Sequence, residues 1–425
     1  MAPASSRPRG PVEPRDDFDL VMLGGDIGVY ALARAFHEQY GTISHVITRS
    51  VSGPIADSRI LVAEELGASA TEDDLAAALL RHGRERAARR PGVPAIVLAN
   101  ADWLITLLSA HREELEEFFV LPVLDEKTLR DVSDKATFSE ICTTLGVSTP
   151  ETVVVDFTGE GPTEIPELPF AYPVVAKPAR SSAYTHVEFA GKKKVYHLTE
   201  PAELTDLVHR LDAAGFADRF VVQEMVPGDD TAMRSITAYV DQAGRVTLLG
   251  GAHVLLEEHT PGALGNPAAM FTADPGEIAV QAVAFLEHTG YRGYANFDVK
   301  VDPRTGVAKF FEVNPRIGRN NYYMTAAGAN VARAVVRDVV DHEQIERIVP
   351  DDEILYSIVP RPLLMRYVTE PGLRARVRRI ARHRTVHPLA YATEGTRRRA
   401  YIAVAMANQV KKFLTHYPRP SSSGF

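Results

Sequence analysis

Cysteine is nearly absent: Cys142 is the only one among 425 residues. No internal disulfide can form, a cysteine-built zinc site is excluded, and a reducing, cytoplasmic setting is expected. No run of about eighteen apolar residues occurs, so no membrane span is expected. The opening MAPASSRPRGPVEPRDD lacks the apolar stretch of a signal peptide and reads as a disordered leader over residues 1–17. Acidic residues become scarce after position 350, where 14 Lys and Arg stand against 5 Asp and Glu in a chain of net charge −8. That imbalance suits either an anionic partner or a solvated basic helix face. With 45% hydrophobic and 24% charged residues the composition is that of a globular protein, long enough for more than one core.

What is present has a clear order. FDLVMLGG (18–25) reads as a strand ending in glycines, residues 26–40 as a helix and 43–48 as a strand, the opening of a doubly wound α/β unit. A second unit follows, with a strand over 95–98 and a helix over 101–119. Around residue 125 the pattern changes. A helix over 135–145 precedes strands at 151–156, 173–177, 220–224, 236–240, 246–250, 295–301 and 309–313, then a helix over 326–340. Past residue 345 helices are expected at 373–382 and 398–413. The boundaries follow: an α/β domain over 18–125, a mixed α+β domain over 126–345 and a basic, mainly helical extension over 346–425.

The strongest local signal is YANFDVKVDPRTGVAKFFEVNPR (294–316), two alternating segments around a turn sequence. Alternation puts Asn296, Asp298 and Lys300 on one face and Glu312 with Asn314 on one face of the return strand. A hairpin pairing Val301 with Lys309 also pairs Asp298 with Glu312, about 5 Å apart. Two carboxylates so close need a cation, and Asp, Glu and Asn oxygens suit Mg2+, with Mn2+ as an alternative. A solvent-facing polar side explains the alternation alone, but not the convergence of Asp, Glu and Asn beside an NPR turn.

Two lysines join this set. Lys177 ends the apolar VVAKP strand before the small polar loop ARSSAYTH, and a lysine there is a point charge suited to phosphate. Lys135 sits in the first turn of its helix, with Ser133 as the expected N-cap, where a cation is mildly unfavourable unless an anion is near. In FVVQEMVPGDD, Glu224, Met225 and Val226 form an extended hinge able to hold a nucleotide base, with Asp229 or Asp230 for the ribose. A plain β-turn is the bland alternative for that loop.

The order Lys135, Lys177, QEMVPGDD, FDVK and FEVNPR resembles the ATP-grasp superfamily over residues 125–340. The resemblance implies an ATP-grasp fold preceded by a doubly wound α/β domain. It assigns ATP phosphates to Lys135 and Lys177, adenine to Glu224–Val226, and Mg2+ to Asp298, Glu312 and Asn314. Arg316 looks like the guanidinium that stabilises an acyl-phosphate, with Lys177 also in the catalytic set. LGGDIGVYALARAFHEQYG, PGDDTAMRSITAYVD and NPRIGRNNYYMTAAGAN are similar to the D-aspartate ligases. That closer resemblance implies an acidic amino acid as acyl donor and a nucleotide-linked muramyl peptide as amine acceptor.

Asp26, exposed after Gly24–Gly25, is a candidate for the donor's amine. Arg234 and Arg319, helped by Asn320 and Asn321, are candidates for its carboxylates, and structural salt bridges explain them equally. GGDIGVY is not the GxGxxG dinucleotide fingerprint. His186 is expected to be a plain exposed side chain rather than a loop ligand. The arginines at 374–382 and 397–399 are expected near the acceptor's diphosphate, and no nucleic-acid partner is expected. A homodimer is compatible with the sequence. A small-metabolite peptide ligase and a non-catalytic nucleotide sensor are the competing functions.

Overall fold

In a computed structural model the chain is described over residues 11–421, apart from 160, 162, 185 and 186. His186 and residues 1–10 thus lie outside the described residues. Strands Asp19–Leu23, Ser44–Thr48, Leu61–Glu65 and Ala95–Ala99 form a parallel sheet ordered 61–65, 44–48, 19–23, 95–99. Helices cover both faces, which is why strands Asp19–Leu23 and Ala95–Ala99 are apolar almost throughout. Helix Ile27–Tyr40 begins where the Asp26 carboxylate accepts from Gly28 and Val29 N–H and ends at Gly41, whose φ is 75°.

Several expected boundaries are corrected. The leader is not disordered throughout: Val12, Glu13 and Arg15 donate backbone bonds to the end of the first helix, and Arg15 pairs with Asp17 and Asp341. The helix expected over 101–119 breaks into Asp102–Ala110 and Arg112–Leu115, where Arg112 turns to donate to Val123 and Leu124 carbonyls. The helix expected over 326–340 is two, Tyr322–Ala326 and Val331–Val339, parted at Gly328, whose φ is 94°.

The second sheet has seven strands ordered 308–314, 293–301, 233–240, 246–257, 267–273, 355–357, 385–386. All neighbours are antiparallel except the last pair. Its cores are continuous with those on the two faces of the first sheet. Gly28 shows how close the two bodies lie: a Cβ there would collide with the Asn100 side chain and stand 2.9 Å from Arg319 Cα. The third sheet, ordered 152–156, 219–224, 174–178, 196–198, is antiparallel and has a core of its own beneath helix Pro201–Ala213.

The C-terminal segment is mainly helical and clamps the first domain. Arg34, buried between the Tyr322 and Tyr391 rings, donates to Pro388 O at 2.8 Å and Ala390 O at 3.0 Å. Buried Glu394 accepts from Tyr30, Ser58 and Arg59 N–H. Arg398, expected to face an acceptor's diphosphate, is instead buried over the Tyr30 ring and donates to Gly53 and Ala56 carbonyls. Arg376 and Arg379 are paired with Glu353.

The clamp carries a pH dependence. Half-buried His387 accepts from Leu389 N–H through Nδ1, and burial, with Arg34 adding, pushes its pKa down to about 4. A histidine depressed in the fold stabilises it fully above its unfolded value of about 6.5 and loses that contribution as pH falls towards 4. The Tm of the wild type is therefore expected to fall between pH 7 and 4.5 more steeply than that of His387→Gln. Equal slopes in a thermal melt series would refute it.

Candidate active site

The hairpin Gly293–Val301 and Ala308–Asn314 pairs Asp298 with Glu312 and Asn296 with Asn314. The expected Val301–Lys309 pairing is wrong by one residue: a bulge after Asp298 pairs Val299 with Phe310 and Lys300 with Lys309. Phe310 packs against Phe297 in the core, whereas the Phe311 ring lies 5.7 Å from Lys177 Nζ. The bulge lets adjacent phenylalanines serve core and site.

Asn314 Nδ2 donates to Asp298 Oδ2 at 2.9 Å, and Arg316 NH2 donates to Asn314 Oδ1 at 3.1 Å. Arg316 Nε is held 3.1 Å from Asp102, just beyond the first sheet. Lys135 Nζ stands 3.2 Å from Glu312 Oε2. Its helix is capped by Asp134, not Ser133: buried Asp134 accepts from Ala136 and Thr137 N–H while pairing with Arg219.

The electrostatics of this group are unbalanced. Burial and the facing Glu312 push the Asp298 carboxyl up to about 7. Burial acts on Glu312 in the same direction, but Lys135, Lys177 and Lys194 outweigh it and hold Glu312 at about 2. Burial lowers Lys177 to about 8, with Lys135 and Lys194 adding. One carboxylate is matched by lysines and its neighbour is short of positive charge. The all-oxygen set of Asp298, Glu312 and Asn314 fits Mg2+, the hard cation that would supply that charge. Lys194 was missed in the sequence because KKK in a loop carries no signal of direction.

The remaining expectations distribute as follows. Glu224 accepts from Glu151 N–H at 3.0 Å and is ion-paired with Lys309, so its side chain braces the hinge. Met225 Sδ is 3.1 Å from His197 Nε2, and Val226 is buried. Asp229 caps the turn at Thr231, and buried Asp230 accepts from Glu257 N–H and His259, both at 2.9 Å. Neither carboxylate hangs free over the hinge. Arg234 pairs in register with Val299, so it lies on the face opposite Asp298, donating to Thr231 and Met233 carbonyls. Arg319 bridges Asp26 at 3.1 Å and Glu258 at 3.3 Å, while Asn100 donates to Asp26. Asn321 donates to Gly28 O, and Asn320 reaches Met270 Sδ. The structure thus brings Lys135, Lys177, Asp298, Glu312, Asn314 and Arg316 together, sets Asp26 and Arg319 at the domain boundary, and leaves Arg234 apart.

No family model matches the chain. It is 33% identical over 362 residues to the D-aspartate ligase of Enterococcus faecium (strain Aus0004), covering 84% of this chain and 86% of that protein. The chain belongs to the D-aspartate ligase family. Its fold is similar to that of the L-amino acid ligase from Bacillus licheniformis, with a TM-score of 0.54 at 16% identity over 80% of each chain. It is also similar to the biotin carboxylase domain of Hydrogenobacter thermophilus 2-oxoglutarate carboxylase, solved with MgADP and bicarbonate. There the TM-score is 0.56 at 15% identity over 78% of this chain and 72% of that one. The molecule is an ATP-dependent carboxylate–amine ligase of the ATP-grasp type. Among the described residues no helix of this D-aspartate ligase homologue is long and apolar enough to cross a membrane.

Arg316, which donates to Asn314 beside Asp298, is the guanidinium that the resemblance assigns to charge on an activated acyl group. Arg316→Gln is expected to lower kcat by about 10²–10³ with little change in the KM for ATP. A loss below tenfold in steady-state ADP release would remove it from the reacting centre.

Proposed function

We propose that the enzyme activates the β-carboxylate of D-aspartate as an acyl-phosphate and joins it to the side-chain amine of a nucleotide-linked muramyl peptide, in the cytoplasm. The observation that carries this reading is the match over most of both chains to a D-aspartate ligase, together with an intact Asp298, Glu312, Asn314, Lys135 and Lys177 set. The same complete set argues against a nucleotide sensor.

In the first step a donor carboxylate oxygen bonds to the γ-phosphorus of ATP and ADP leaves. Asp298, Glu312 and Asn314 would hold Mg2+, which when bound neutralises phosphate charge; Mn2+ suits the same oxygens. Lys135 and Lys177 would meet the phosphates, whose charge offsets the burial and the neighbouring lysines that depress Lys177. Glu224 to Val226 form the hinge for the base. In the second step the amine nitrogen attacks the acyl carbon, phosphate departs, and the amine loses a proton. Arg316 stabilises the oxyanion formed in between.

The acyl-phosphate must be kept from water between the steps. The small sheet carries Lys177 and has a core of its own, so it would move as a body and bring that lysine over the phosphates. The loop after Lys177, whose Ser181–Tyr184 forms a short helix, rides on it.

ADP formation with Mg-ATP, D-aspartate and a UDP-linked muramyl pentapeptide tests the assignment. Turnover is expected only when both substrates are present, and to fall at least tenfold with L-aspartate. Turnover with unrelated amino acids and no peptide would replace the cell-wall role with a small-metabolite peptide ligase.

A further inference from the structure

The donor proposed above carries a second carboxylate, and the cations at the reacting centre are already committed. Arg316 is held by Asp102 and Asn314, and Arg319 by Asp26 and Glu258. Arg49 is different. It directly follows Ser44–Thr48, at the carboxyl end of that strand, and has no carboxylate partner among the described residues. Its Nε is buried without a hydrogen-bond acceptor. Its guanidinium is stacked 4.6 Å from the centre of the Trp103 ring, which is 39% exposed. Stacking on an indole uses the face of a guanidinium and leaves its N–H edge for a planar anion.

Strand Asp19–Leu23 lies between Ser44–Thr48, to which the chain runs next, and Ala95–Ala99, which it reaches only after Leu61–Glu65, so the strand order reverses beside it. Ligands of open parallel sheets sit outside the carboxyl ends of the strands at such a reversal. The Arg49–Trp103 pair spans that edge, over the Gly24–Gly25 turn. Trp103 follows Asp102, the residue holding Arg316, so the pair adjoins the reacting centre. Helix Asp102–Ala110 starts there with no side-chain cap; Leu104 N–H donates to Ala101 O, which leaves those of Asp102 and Trp103 for an anion.

From this geometry we infer that Arg49, stacked on Trp103, binds the carboxylate of the donor amino acid that is not activated, and so selects an acidic donor. The inference rests on the proposed donor. The same edge chemistry would also accept a phosphate of the acceptor nucleotide, and the test separates the two.

Trp103 is the only tryptophan in the chain, so intrinsic fluorescence reports on this pair directly. Wild-type protein with Mg2+ and a non-hydrolysable ATP analogue is titrated with D-aspartate, and separately with UDP. A saturable D-aspartate response is expected, with Kd raised about tenfold to a hundredfold in Arg49→Gln. Arg49→Lys, which keeps the charge but loses the planar edge, is expected to raise it several-fold and covers a folding failure of the glutamine variant. Unchanged D-aspartate affinity in both variants, or an Arg49-dependent response to UDP alone, would overturn the inference. ADP formation by the same wild-type sample separates the failures: turnover with D-aspartate and peptide, but no Arg49 effect, sinks the inference and leaves the function standing. An Arg49-dependent D-aspartate response without turnover leaves the site and sinks the ligation.

Discussion

Asp298 and Glu312 face each other across two hydrogen-bonded strands, and buried carboxylates so placed repel unless positive charge surrounds them. Much of the surrounding architecture supplies that charge. The helix at Lys135 comes from the segment joining the domains, Lys177 and Lys194 from the small sheet, and Arg316 from the turn after the hairpin. Lysines satisfy Glu312 but not Asp298, and the proposed cation and nucleotide would relieve this asymmetry.

The same asymmetry accounts for the division into bodies. The hairpin and Arg316 belong to the large sheet, whose cores continue into the first domain, fixing Asp102 and Asp26 against Arg316 and Arg319. Lys177 and Lys194 belong to the body of the small sheet, which has a core of its own and meets the Lys135 helix through Ala136, Ala179 and Val221. The C-terminal segment holds the first domain in place through Arg34, Glu394 and Arg398. In the basic tract that reads as a surface for anions, Arg398 is buried in the clamp and Arg376 and Arg379 are paired with Glu353.

The hairpin and both lysines were legible because strand alternation and local order determine which side chains share a face. Asp298 opposite Glu312 followed from a count anchored on Val301–Lys309, a pairing that is off by one at the turn and is made good by the bulge. The bulge at Phe311 did not, because two consecutive phenylalanines give no sign of which one is core. Short strands such as Leu61–Glu65 and Leu355–Ser357 carry mixed patterns and are fixed by their partners in the sheet. The roles of Asp26, Asp229 and Asp230 were harder still. A carboxylate next to a glycine turn looks the same in sequence whether it caps a helix or meets a ligand, and in the fold all three are bonded to the protein itself. Arg234 was lost to parity: one residue along a strand moves a side chain to the other face. Arg49 carried no motif at all, since its significance comes from Trp103, which is brought to it only by the strand order.

Calorimetric binding of ADP with and without Mg2+, to wild-type protein and to Glu312→Gln, tests the metal assignment most directly. Mg2+ is expected to tighten ADP binding by at least about tenfold, roughly 1.4 kcal/mol, in the wild type and to have little effect in the variant. Equal ADP affinity with Mg2+ or a chelator, or an undiminished Mg2+ effect in Glu312→Gln, would contradict a metal–nucleotide site at the Asp298–Glu312 pair.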